Sequence, residues 1–120
     1  MKYGCIGEHL KHSFSKEIHN YLADYEYEIC EVGREDLDAF CEERDFLAIN
    51  VTIPYKEMVM PHLYSIEPHA AAIGAVNTVV NRGGKLYGYN TDFYGMTKLI
   101  SHAGISVSGK KVAILGSCGF

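Results

Sequence analysis

The chain has 120 residues, of which 48% are hydrophobic and 22% charged, and a formal net charge of −4. That is the composition of one globular domain with a core, too short for two ordinary ones and too apolar for a disordered segment. It supplies no basic stripe for nucleic acid. Its longest apolar-or-glycine run, residues 70–76, falls far short of the roughly 18 residues a membrane span needs. Residues 1–10 lack the apolar h-region of a signal peptide, so a cytosolic protein is expected.

In chain order, the elements alternate. "KYGCIG" reads as a short first strand. After the loop "EHLKHSFS", Ile18, Tyr21, Leu22 and Tyr25 recur at helical spacing. "YEICEV" reads as a second strand, and "REDLDAFCEE" as a helix with Leu37, Phe40 and Cys41 on one face. "FLAINV" is apolar enough for a strand covered on both sides. Pro54 suits the first turn of a short helix. "TVVNRGGKLYGYN" has two extended runs around Gly83 and Gly84, as in a hairpin. Phe93, Met96, Leu99, Ile100 and Ala103 form a last helical face, with Gly104 as its C-cap. Finally, "VAIL" (112–115) reads as a strand running into Gly116 and Gly119. Such a βαβαβ opening predicts an α/β fold: a mostly parallel sheet with one antiparallel strand, and helices on both faces.

Four polar segments fall just after strands, where parallel sheets expose a crevice. In "HSFS", Ser15 could cap the following helix, or Ser13 and Ser15 together with free helix N–H groups could hold an anion such as a carboxylate. In "NVTIPYK", Thr52 and Lys56 flank Pro54. A lysine in a first helical turn opposes the helix dipole, so it is either simply solvated or placed there for a reason. Asn77 in "GAVNT" could merely close a turn, and Asp92 in "NTD" could merely cap the last helix. Taken singly, each structural explanation suffices.

The four cysteines, Cys5, Cys30, Cys41 and Cys118, form no C-x-x-C pair and read as buried free thiols. His9 and His12 lack the companions of a metal site, so a metal is not expected.

Together and in this order, "HSFSKEIHN", "NVTIPYK", "GAVNT", "YNTD" and "ILGSCG" resemble the shikimate dehydrogenase family across nearly the whole chain. The resemblance implies an enzyme that reduces 3-dehydroshikimate with NADPH in aromatic amino acid biosynthesis, built from an α/β substrate domain and a Rossmann-type NADP-binding domain. It implies a substrate domain over 1–104, with 105–120 as a linker and the first strand and glycine turn of the cofactor domain. Ser13 and Ser15 would bind the substrate carboxylate, Thr52 and Asn77 the ring hydroxyls. Lys56 and Asp92 would carry the proton chemistry: Lys56 delivers the proton to the developing alkoxide, while Asp92 orients it and also holds a substrate hydroxyl. Gly116, Ser117, Cys118 and Gly119 match the cofactor turn.

Two residues depart from the family pattern. Lys16 replaces the proline after Ser-x-Ser, which adds positive charge near the carboxylate pocket. Cys118 replaces the second glycine, placing a Cβ where backbone approaches the phosphates. A chain of these residues alone is expected to be inactive, with its last strand frayed. The partners implied are a small-molecule substrate and NADP, with neither nucleic acid nor membrane, in a monomer or homodimer. A dual quinate/shikimate dehydrogenase and a non-catalytic binding module for hydroxylated carboxylates are the competing readings.

Overall fold

Apolar side chains two apart on each strand leave one sheet face dry, and the chain folds around that face. The computed structural model describes residues 1–116. Its strands are β1 (Tyr3–Gly7), β2 (Glu28–Glu31), β3 (Ala48–Val51), β4 (Ser65–Ile66), β5 (Thr78–Arg82) and β6 (Lys85–Tyr89). They form one sheet in the order β2-β1-β3-β5-β6-β4. The pairs β1–β2, β1–β3 and β4–β6 are parallel, whereas β5 runs antiparallel to both β3 and β6. One reversed strand in an otherwise parallel sheet is the expected architecture.

The helices are α1 (Ser15–Leu22), α2 (Leu37–Glu43), α3 (Tyr55–Met58), α4 (Pro68–Ile73) and α5 (Asp92–His102). Leu37 and Cys41 of α2, Tyr55 of α3, Val59 just after it and Ala70 of α4 pack on Ile6, Ile49, Val51, Val79 and Leu86 of the sheet. The opposite face carries a smaller cluster of Cys5, Leu10 and Tyr27, flanked by Tyr3, Tyr25 and Ile29. Neighbouring residues Cys5 and Ile6 thus serve opposite faces, as the period of a strand requires.

The hairpin turn is built as its sequence predicts. Gly83 and Gly84 have φ of 61° and 84°, the positive values a tight two-residue connection needs. The Gly84 amide donates to Asn81 Oδ1 at 2.8 Å, and the same side chain donates to the carbonyls of Arg44 and Phe46.

Several expectations need correction. α1 ends at Leu22, so Tyr25 is not part of it, and Ile18, Tyr21 and Leu22 are all exposed. β3 is not covered on both faces: Ile49 and Val51 are buried while Ala48 and Asn50 are half-buried. The polar Asn50 within the run is the reason, because it faces the other side. Pro54 stands at the cap position before α3 rather than inside its first turn. No residue of α5 is buried, although its apolar spacing predicted a packed face; Gly104, with φ 69°, does follow its end. Residues 112–115 form no strand, and Val112, Ile114 and Leu115 are exposed. A strand needs a partner for its backbone groups, and among the described residues none reaches this segment.

The sequence reading also passed over β4 and α4. The signals for α4 were Pro68 at the first helical position and Gly74 just after the last; in the fold, Glu67 Oε2 also accepts from the Ala70 amide at 3.0 Å. Cys5 and Cys41 are buried free thiols and Cys30 is a half-buried one, while Cys118 lies outside the described residues. Among the described residues, no helix is long and apolar enough to cross a membrane.

Candidate functional site

A cleft of about 280 Å³ opens at the carboxyl end of β3, where parallel strands leave a crevice. Ser15, Ile18 and His19 of α1, Asn50 and Thr52 at the end of β3, Lys56 of α3, Asn77 and Asp92 line it, with Cys5 and Val51 below. Five of the residues singled out from sequence therefore share one hollow. Ser13 lines a larger neighbouring hollow, which shares Cys5, Ser15 and Thr52 with the cleft.

Each side chain reaches its place for a local reason. Lys56 and Asp92 lie 36 residues apart, yet Lys56 Nζ donates to Asp92 Oδ2 at 2.6 Å. Their side chains are 16% and 34% exposed, enough shielding to strengthen the pair relative to a fully solvated one. This ion pair explains a lysine in the first turn of α3, where the helix dipole disfavours it. Segment 75–77 holds both partners: the Val76 amide donates to the Lys56 carbonyl at 2.8 Å. Buried Asn90 donates to the Ala75 carbonyl at 3.0 Å and accepts from the Asp92 amide at 2.9 Å.

Asn77 is more than the end of a turn. Its Oδ1 accepts from the Thr91 amide and the Thr78 hydroxyl, each at 3.0 Å, and its Nδ2 donates to Thr91 Oγ1 at 2.9 Å. Asn50 Nδ2 in turn donates to Thr78 Oγ1 at 3.2 Å, and Tyr27 Oη donates to Asn50 Oδ1 at 2.6 Å. A continuous polar chain thus crosses the sheet from Tyr27, just before β2, to Thr91, just before α5.

The helix boundaries revise two capping roles. Phe14, not Ser15, precedes α1, and Ser15 is its first residue. The Ser15 amide donates to Ser13 Oγ at 3.3 Å, so the Ser15 hydroxyl is not spent on a cap. Likewise Thr91 precedes α5, and Asp92 is its first residue rather than its cap. That leaves the carboxylate for Lys56.

The loop carrying the serines is clamped. Arg34 donates twice to Glu8, at 3.0 and 3.2 Å, and the Leu10 amide donates to Glu31 Oε1 at 2.8 Å. Gly7 admits it closely: a Cβ there would lie 2.8 Å from Thr52 Cγ2 and 2.9 Å from Leu10 Cδ2. Burial pushes up from their ordinary values both the thiol of Cys5, which lines the cleft, and the phenol of Tyr27, which packs against Cys5. Both groups therefore stay protonated at neutral pH.

Cys5, Ile18, His19 and Asn50, which line the cleft, and Tyr27, which bonds Asn50, were not expected at the site from sequence. Asn50 left a signal, as the single polar residue inside an apolar strand; the others left none that spacing could separate from core. Of the expected cofactor turn, Gly116 is exposed with φ 111°, and Ser117, Cys118 and Gly119 lie outside the described residues. Among the described residues no cluster of three or more His, Cys, Asp or Glu could hold a metal ion.

An α/β domain with an ammonium–carboxylate pair facing hydroxyl and amide donors is suited to a small hydroxylated ligand and to moving a proton on it. The family model for the shikimate dehydrogenase substrate binding domain matches residues 5–79, and this chain belongs to that family. The shikimate dehydrogenase (NADP(+)) of Clostridium perfringens is 42% identical over 98% of this chain and 46% of its own length. The crystal structure of shikimate dehydrogenase 1 from Peptoclostridium difficile superimposes with a TM-score of 0.90 at 41% identity, over 99% of this chain and 47% of that one. The Thermus thermophilus enzyme in complex with NADP(H) and shikimate gives 0.80 at 32% identity, over 89% of this chain and 44% of that one. The chain thus spans about half the length of these relatives.

Proposed function

We propose that this chain is the substrate-binding part of an NADP-dependent shikimate dehydrogenase, acting in the cytoplasm in aromatic amino acid biosynthesis. The observation that carries the reading is the Lys56–Asp92 pair at 2.6 Å, set in one cleft with Ser15, Thr52 and Asn77. On this reading residues 1–104 are the shikimate-binding domain, and 105–120 are the linker and the beginning of an NADP-binding domain.

The Ser13 and Ser15 hydroxyls, at the start of α1, hold the substrate carboxylate, where the helix dipole also favours negative charge. Lys16 adds a cation beside them. Thr52 and Asn77 hold ring hydroxyls. As the ketone of 3-dehydroshikimate becomes an alkoxide, the Lys56 ammonium delivers the proton and recovers it in the reverse direction. Asp92 orients that ammonium and accepts from a ring hydroxyl. The pair acts as a unit, since each group sets the charge the other feels.

NADPH supplies the hydride. Of the turn matched to the cofactor site, only Gly116 is among the described residues, and it follows a segment without strand pairing. This chain's residues bind, orient and protonate.

Two measurements test the proposal. Shikimate titrated into the isotope-labelled chain should shift the resonances of Ser13, Ser15, Thr52, Lys56, Asn77 and Asp92 before any others. The natural full-length polypeptide should reduce NADP⁺ when given shikimate. Absence of both responses defeats the proposal. Binding without turnover in the full-length polypeptide would instead indicate a binding module, and faster turnover of quinate would shift the substrate assignment.

A further inference from the structure

Three of the four hydrogen-bonding groups that hold the cleft asparagines belong to the sheet or to α5 and the residue before it. The fourth is Tyr27, which lies just before β2 on the thinly covered face and is 3% exposed. Its ring stacks on His19 at 3.8 Å between centroids with an interplanar angle of 10°. His19, also bonded to Tyr25 Oη at 2.5 Å, spans from α1 to hold that ring in place. The Tyr27 hydroxyl points at Asn50 Oδ1, at 2.6 Å.

An asparagine amide can sit either way round, and its partners decide which edge faces a ligand. The Asn77 amide is fixed by a backbone donor: the Thr91 N–H can only donate, so Oδ1 must face it. Asn50 has no such backbone partner among its hydrogen bonds. Its other contact, Thr78 Oγ1 at 3.2 Å, is a hydroxyl that can either donate or accept. Without Tyr27, Asn50 could turn its carbonyl toward Thr78, which would then withdraw its hydroxyl proton from Asn77 Oδ1. The phenol is a stronger donor and a weaker acceptor than the threonine hydroxyl, so it favours the orientation that presents the Asn50 carbonyl to it.

We propose that Tyr27 is a positioning residue, whose hydroxyl fixes the Asn50 amide so that Asn50 keeps an N–H for the substrate cleft and Thr78 keeps its proton for Asn77. Burial holds the phenol in its protonated, donating form. The inference rests on the proposed function for what the cleft binds, but not for the orientation itself.

Tyr27→Phe keeps the ring stacked on His19 and removes the donor. In the labelled chain without ligand, the Asn50 side-chain amide pair, assigned by its loss in Asn50→Asp, should shift and exchange faster with water. Shikimate affinity should fall roughly 5–10-fold, the scale of one hydrogen bond of about 1 kcal/mol, and in the full-length polypeptide KM should rise more than kcat falls. Thr78→Val breaks the other end of the same clamp, and its effect on affinity should be less than additive with Tyr27→Phe. An Asn50 amide pair unmoved in Tyr27→Phe, with unchanged affinity and only a lower melting temperature, would overturn the inference. If the unmutated chain gives no response to shikimate, the proposed function fails, while the ligand-free comparison of the Asn50 amide still decides the role of Tyr27.

Discussion

The two faces of the sheet differ in kind. Among the described residues, one face buries thirteen in a continuous cluster under α2, α3 and α4; the other buries three, and beside them opens the polar cleft. The same strands supply both. Along β1, Ile6 goes to the first and Cys5 to the second; along β3, Ile49 and Val51 go to the first and Asn50 to the second. The packed core and the polar cleft thus draw largely on alternate residues of the same strands, and substitutions should sort by face.

The largest effect expected is on chemistry alone. Lys56→Ala in the full-length polypeptide should lower kcat about 10²–10⁴-fold, or roughly 3–5 kcal/mol of barrier. Its melting temperature should hardly move, because the Asp92 left behind is partly exposed. A variant with normal turnover would remove Lys56 from the mechanism and blur the separation of faces.

Next comes the dry face. Leu37→Ala, at a side chain 1% exposed, should cost about 2–5 kcal/mol in chemical denaturation. Cys5→Ala on the opposite face should cost clearly less, since it removes one sulfur beside a cleft that water can enter. Equal losses would show that the thin face contributes as much to stability as the thick one.

Of similar size, but on binding rather than stability, is the effect of the serine pair. Ser13→Ala with Ser15→Ala should weaken shikimate binding by about 1.5–3 kcal/mol per lost charged hydrogen bond. The stability loss should be lower, because Ser15 is not the cap of α1 and the Ser13 contact to its amide is a long 3.3 Å. Calorimetric titration and a thermal melt separate the two. A destabilised variant of unchanged affinity would return the serines to a structural role.

The pH dependence sharpens the comparison from the core side. Burial pushes the Cys41 thiol up to about 11, with Asp38 adding to the shift. A raised thiol pKa favours the protonated form in the folded state. Its contribution is therefore complete below the ordinary value of 9.0 and is lost as pH rises toward about 11. Denaturation midpoints should fall across that window, and Cys41→Ala should flatten the fall. Cys5 and Tyr27 shift in the same direction, so some slope should persist in the variant.

Least of all, Leu99→Ser on α5 should change the stability of this chain by no more than about 0.5 kcal/mol, since Leu99 is 70% exposed.

How far the residues could be read ahead of the structure depended on the range of the interactions. Gly83 and Gly84 announced the hairpin because positive φ is a local demand. Leu37, Phe40 and Cys41 announced α2 because helical spacing is local too. The same spacing misled at α1 and α5: periodicity records an apolar face but not whether anything lies against it. Residues 112–115 failed as a strand for the same reason, being apolar but without a partner among the described residues. The capping roles given to Ser15 and Asp92 were off by one residue, a distance at which propensity does not discriminate. Yet that one residue decides whether the side chain serves its own helix or the cleft.

By itself, the sequence determined the alternation of strands and helices, the reversed hairpin strand and the family, through five short motifs in a fixed order. Tertiary structure alone decided that Lys56 and Asp92 form a pair across 36 residues, that Asn77 is locked by Thr91 and Thr78, and that Tyr27 reaches Asn50 across the intervening strand β1. The physical reason is that a hydrogen bond acts over about 3 Å. Which side chains come that close depends on strand register and helix placement, which no window of neighbouring residues contains.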